Sequence, residues 1–133
     1  MEDIDGRIER EVASWDGVAV HPHRFGGVEF RIGRRELGHL HAAQQDHEGW
    51  ADLPFTSRIR EMLVETGRAE PHRFGVRGWV SRSLDDPDEV IELFKLSYER
   101  ARVAQTVRDS REQFGKARGA DVPAGDDHSD PAA

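Results

Sequence analysis

His21 and His23 stand two residues apart, as do His39 and His41, and His72 follows further along the chain. On a β-strand a spacing of two puts both side chains on one face, so each pair presents two imidazoles together. Two such pairs on neighbouring strands would offer a transition metal four nitrogen ligands, and zinc, copper, iron and nickel all suit imidazole. The metal set expected from this spacing is His21, His23, His39 and His41. The competing expectation is structural, since histidines at half-buried sheet positions commonly serve to satisfy a hydrogen bond. Register decides between them. A two-residue and a three-residue turn before this segment exchange the faces of His39 and Leu40.

Arginine offers a second chemistry. Arg24, Arg31, Arg73 and Arg77 fall on or beside the same prospective sheet face, with Trp79 among them. Guanidinium forks pair with carboxylate or phosphate and stack on aromatic rings, which suits a small anionic, partly planar ligand. The ligand face expected from sequence is therefore His23, Arg24, Arg31, His39, His41, His72, Arg77 and Trp79. The plainer alternative is a charge-laced surface in which these arginines pair with Glu29, Glu36 and Glu70.

Other catalytic sets are missing. There are no cysteines, which removes disulfides, thiolate nucleophiles and cysteine-ligated zinc together. Ser81, Ser83 and Ser97 lack the G-x-S-x-G context that would present a nucleophile. Asp85, Asp86, Asp88 and Glu89 are explained as helix-start residues, where the helix dipole favours acids. Tyr98, the single tyrosine, falls on an apolar stripe and is expected in the core with its hydroxyl satisfied. No cofactor is specified.

The balance of charges narrows the partners. A net charge of -7, with 26 acids against 17 arginines and two lysines, argues against nucleic acid, whose binding rests on phosphate neutralisation. Acid excess with arginine preferred over lysine fits a GC-rich and salt-adapted background. No segment approaches the roughly 18 consecutive apolar residues of a membrane span, and the N-terminus is acidic, so a cytoplasmic location is expected.

The elements that must position these residues can be read from periodicity. Ile4, Ile8, Val12 and Trp15 make one stripe of an amphipathic helix ended by Asp16-Gly17. The period then changes to two, predicting strands over 18–24, 28–32 and 36–41, with turns at Gly26-Gly27 and at Gly33-Arg34-Arg35. Residues 42–49 read as a loop, and 50–55 as a brief edge strand, because Pro54 cannot donate to a ladder. Thr56 or Ser57 caps a helix closed at Gly67. A strand over 76–84 follows, with Val76, Val80 and Leu84 on one side. Asp86-Pro87-Asp88-Glu89 opens the longest helix, whose stripe is Val90, Ile91, Phe94, Tyr98 and Ala101. Residues 1–115 are expected to form one domain, and 116–133, dominated by Ala, Gly, Pro and Asp, a disordered acidic tail. The order α-β-β-β-(β)-α-β-α predicts an α+β two-layer sandwich, an antiparallel sheet of about four strands on two to three helices.

The run Pro22-His23-Arg24-Phe25-Gly26-Gly27-Val28-Glu29-Phe30 and the run Glu36-Leu37-Gly38-His39-Leu40-His41 resemble the small family of luciferase domain-containing proteins. Gly78-Trp79-Val80-Ser81 and Leu96-Ser97-Tyr98-Glu99-Arg100-Ala101 extend the resemblance, which covers about 15–104. The label implies light emission. That is not expected, because a flavin-dependent barrel luciferase needs about 250 residues for its barrel alone, and Gly26-Gly27 lacks a phosphate-cradling spacing.

Three functions follow. The leading one is a ligand-binding domain using the His/Arg/Trp face. The others are a metal-dependent enzyme built on the histidine pairs and an interaction module or homo-oligomer that covers the open face.

Overall fold

Ile8 and Val12 are fully buried, on the helix their spacing predicts. In the computed structural model, which describes residues 4–23, 26–42 and 49–118, this helix is α1, Ile4–Ala13. Arg24, most of the 42–49 loop and the tail from 119 lie outside the described residues. The strands are β1 (Val18–Pro22), β2 (Val28–Ile32), β3 (Arg35–His41), β4 (Trp50–Pro54), β5 (Glu70–Pro71) and β6 (Trp79–Ser83). Two further helices are α2 (Ser57–Glu65) and α3 (Pro87–Arg118). Thr56 caps α2 by accepting the Ile59 N–H, and Asp86 does the same for Glu89 at the start of α3.

The architecture is an α+β two-layer sandwich. Its antiparallel sheet runs β1-β2-β3-β4-β6-β5. Six strands among the described residues exceed the four or so expected. The short β5 was hidden because two residues carry no periodicity. The segment at 50–55 is central and not an edge, since β4 pairs with β3 on one side and β6 on the other. Pro54 is tolerated there because it is the last residue of the strand. The strand expected over 76–84 begins only at Trp79. Val76 is exposed and Gly78 takes a left-handed turn, with a φ of +81°.

Phe30, Leu40, Ala51, Leu53 and Val80 fill one sheet face and meet Ile8, Leu63, Leu93 and Phe94 from the three helices. Phe30 and Phe94 pack edge to face at 5.1 Å. Burying such side chains stabilises by about 1.5–3 kcal/mol each. Tyr98 packs against this core and donates its hydroxyl to the Asp16 carbonyl, as expected. Ser97, absent from the predicted stripe, is buried.

The register of the β2–β3 hairpin decides which face carries the histidines. Ile32 pairs with Arg35, so the turn has two residues, Gly33 and Arg34. Such a turn alone would set His39 opposite Val28, on the core face. A β-bulge intervenes. Arg31 pairs with Glu36 but Phe30 pairs with Gly38, leaving Leu37 as the extra residue. That one-residue shift places His39 opposite Glu29 and Leu40 opposite Val28. Leu40 enters the core, and His39 and His41 reach the other face.

The bulge is held from both sides. Gly38 has a φ of +146°, and a Cβ there would lie 2.8 Å from both the Asp52 carbonyl oxygen and Phe94. The Leu37 carbonyl accepts a hydrogen bond from Ser97 on α3. Ser97 therefore satisfies a buried backbone acceptor on the extra residue of the strand.

Candidate functional site

The face opposite the helices is ordered by strand register. His39 lies between Glu29 on β2 and Asp52 on β4, and Asp52 in turn pairs with Ser81 on β6. His41 pairs with Trp50 and Trp50 with Ser83. Paired residues on adjacent strands point to the same side of a sheet, so these side chains form cross-strand rows.

Asp52 is the centre of the arrangement. It is 2 % exposed, and its Oδ2 lies 3.0 Å from His41 Nε2, 3.2 Å from Trp50 Nε1, 3.3 Å from His39 Nε2 and 3.6 Å from His72 Nε2. Its Oδ1 accepts from the Ser81 hydroxyl. Burial works to raise the Asp52 pKa. Hydrogen bonds from His39 and Ser81, with the charge on His72, outweigh it and bring the pKa down to about 2.

His39 is bracketed by two carboxylates. Its Nδ1 is 2.7 Å from Glu36 Oε2, and its Nε2 faces Asp52. Burial is the largest influence and opposes the charge, but the bonds to Asp52 and Glu36 prevail and push the pKa up to about 9. His41 behaves in the opposite way. Burial lowers its pKa despite the nearby Asp52, and the charge of His39 adds to the lowering.

His72 has a defined tautomer. Its Nδ1 accepts the backbone N–H of Phe74 at 3.1 Å, so in the neutral ring the proton sits on Nε2, which faces Asp52. An aromatic wall encloses the group. His23 stacks on His39 with centroids 4.2 Å apart, and His41 stacks on Trp50 at 4.4 Å. Trp79 lies beside both His39 and His72, and the Arg73 guanidinium covers Trp50 at 4.2 Å.

The expected residues therefore separate. His23, His39, His41, His72 and Trp79 come together. His21 is exposed on β1, with Glu29 of β2 between it and His39 in the pairing ladder. Arg31 pairs with Glu29, and its guanidinium also donates to the Arg34 carbonyl, which is the charge-laced alternative. Arg77 is exposed in the turn before β6. Asp52, the hub, was missed among the candidates. Its signal was an acid between Ala51 and Leu53 inside an apolar run, at a position alternation assigns to the non-core face.

A groove of about 510 Å³ adjoins this face. It lies between the β2–β3 turn and α3, and Trp79 and Glu36 line it together with Arg34, Arg35, Arg100 and Arg108. Glu36 is the acid among its lining residues. Burial, joined by repulsion from Arg35, lowers the Arg100 pKa.

A family model described as Luciferase domain matches residues 34–97. That segment of the chain is similar to the Luciferase domain family. The luciferase-domain segment opens in the β2–β3 turn and closes at Ser97, narrower than the 15–104 span of the resemblance. It contains Glu36, His39, His41, Asp52, His72, Trp79, Ser81 and the Ser97 that holds the bulge, whereas His23 precedes it. No curated protein and no solved structure matches the chain. Among the described residues, no helix is long and apolar enough to cross a membrane.

Proposed function

We propose that the chain is a cytoplasmic ligand-binding domain whose ligand is a small anion bearing a planar group. The anionic part would sit among the groove arginines and the planar part against Trp79 and the imidazoles beside it. The observation that carries this reading is the state of four arginines. Arg7, Arg31, Arg68, Arg82 and Arg102 each pair with a carboxylate, but among the described residues Arg34, Arg35, Arg100 and Arg108 do not. Concentrating unpaired guanidinium groups around one groove runs against the acid excess of the whole chain. Arg35 already disfavours the charge on half-buried Arg100, and an anion between them would relieve that repulsion.

Phenyl phosphate supplies both chemical features and serves as the probe. Calorimetric titration at low salt should give saturable one-site binding that weakens as salt is added. Arg35→Ala and Arg100→Ala should each weaken it about tenfold or more, the scale of a lost charge-assisted hydrogen bond. Binding that survives both changes, or no binding at millimolar probe, would remove this reading.

A further inference from the structure

Four hydrogen-bond donors face one oxygen of Asp52. The imidazole nitrogens of His41, His39 and His72 and the indole nitrogen of Trp50 all lie within 3.6 Å of Oδ2. A carboxylate oxygen offers about two lone-pair sites, so four N–H groups cannot all be well satisfied there. Replacing imidazole protons with a single cation would resolve the excess.

We propose that His39 Nε2, His41 Nε2 and Asp52 Oδ2 hold a divalent transition-metal ion of the zinc class. One ligand atom from each of the three residues lies within 4.8 Å of the others. Separations of 3.3 Å and 3.0 Å from the two nitrogens to Oδ2 approach the edge of a tetrahedron built on bonds of about 2.0–2.1 Å, which is about 3.4 Å. Strand pairing fixes two of the ligands, since His39 and Asp52 are direct partners across β3 and β4. Glu36 completes the arrangement from behind. Its carboxylate accepts a hydrogen bond from the Nδ1–H of His39, which holds Nε2 as the metal-facing nitrogen, the usual carboxylate–histidine–metal relationship.

His72 is excluded as a fourth ligand by its own hydrogen bond. A histidine that ligates through Nε2 keeps its proton on Nδ1, but Nδ1 of His72 accepts the Phe74 N–H. His72 Nε2 stays 3.6 Å from Asp52 Oδ2, beyond hydrogen-bond distance, so it neither ligates nor holds the carboxylate. Three protein ligands leave a position for water or a ligand oxygen, the pattern of an open zinc site. Imidazole ligands disfavour magnesium and calcium, which take oxygen. The site differs from the set predicted by spacing, with Asp52 present and His21 and His23 absent. It goes beyond the anion reading, sharing Glu36 and Trp79 with the groove but requiring none of the arginines.

The test uses the full chain, stripped with chelator and titrated with Co²⁺ alone. The expected result is one equivalent bound, with visible absorption of the intensity of a four-coordinate ion, displaced by one equivalent of Zn²⁺. His41→Ala and Asp52→Asn should weaken uptake at least 100-fold, and Glu36→Gln by 10–100-fold, the usual range for an outer partner. His72→Ala should stay within about threefold. Circular dichroism checks that each variant folds, and His41→Ala, at a position less buried than Asp52, carries the test if Asp52→Asn unfolds. Failure of the wild type to bind Co²⁺, or binding unchanged in His41→Ala, overturns the proposal. Arg35→Ala and Arg100→Ala should leave Co²⁺ uptake intact, so loss of the phosphate reading and loss of the metal reading give different results.

Discussion

The Ser97 hydroxyl donates to the Leu37 carbonyl across 2.9 Å, in a buried contact between residues 60 positions apart. It joins the middle of α3 to the residue that the bulge leaves without a partner on β2. Ser97→Ala removes the donor and leaves that acceptor buried and unsatisfied, a loss expected to cost about 1–3 kcal/mol. Urea unfolding should show a lower midpoint with unchanged slope.

Gly38 is expected to tolerate nothing larger. Gly38→Ala must bring a methyl group to 2.8 Å from backbone oxygen and from a core ring, at a φ that L side chains avoid. A chain that fails to fold, or loses more than about 3 kcal/mol, is the expected outcome in thermal unfolding. Gly33→Ala is the control. It also has positive φ, +61°, but nothing lies within 4 Å of its Cβ, so only the backbone cost of about 1–2 kcal/mol should appear.

The metal-free protein should show stability that depends on pH at both ends. The His39 pKa is raised from 6.5 to about 9, so its contribution is fully present below pH 6.5 and is lost as pH rises through about 9. The Asp52 pKa is lowered from 3.8 to about 2, so its contribution is present above pH 3.8 and is lost as pH falls through about 2. His41 is held neutral by burial and favours the folded state at higher pH, its share fading as acid protonates it. Denaturant midpoints measured from pH 2 to 10 should fall at both ends, with a shallower decline below pH 6.5 from His41. A His39 imidazole signal that titrates near 6.5 in NMR would contradict the assignment.

Removing the hub carboxylate should be costly even though the side chain stays polar. Asp52→Asn loses the negative charge facing His39 and aims an amide at donors that need acceptors. Breaking a buried pair in this way commonly costs about 3–5 kcal/mol. Thermal unfolding at pH 7 measures it, and the His39 pKa should fall in the variant. An unchanged melting temperature would mean that the histidines do not depend on Asp52.

The parts of the fold that declared themselves in sequence did so through local rules. Asp86-Pro87-Asp88-Glu89 states a helix start in four residues, and Ile8 and Val12 fix the buried side of α1. Val28, Phe30 and Ile32 alternate so cleanly that β2 could hardly lie otherwise. What stayed hidden is non-local. The central position of β4 depends on β6, which lies beyond an intervening helix, and Pro54 misdirects because only its terminal place makes it harmless. The histidine face turns on one inserted residue, and Gly38 inside an otherwise regular strand was the mark of that bulge. Asp52 could be found only by treating an acid in an apolar run as a requirement. Ser97 gave no local sign, since its partner is sixty residues away.

Helix α3 runs for 32 residues, about 48 Å at 1.5 Å per residue, and Ala101 is its last buried position. Beyond Ala101 the described side chains of the helix, to residue 115, are exposed or only partly buried. Starting a helix is the expensive step and extending one is cheap, so this outer half is a continuation of turns nucleated on the core, and it would be marginal if cut free. Arg108 and Gln105 lie on that continuation and form the far wall of the arginine groove. The groove thus has one wall anchored by the hairpin and another that inherits its order from the helix before it, so an anion held at Arg108 would steady turns of α3 that the core alone supports only at a distance.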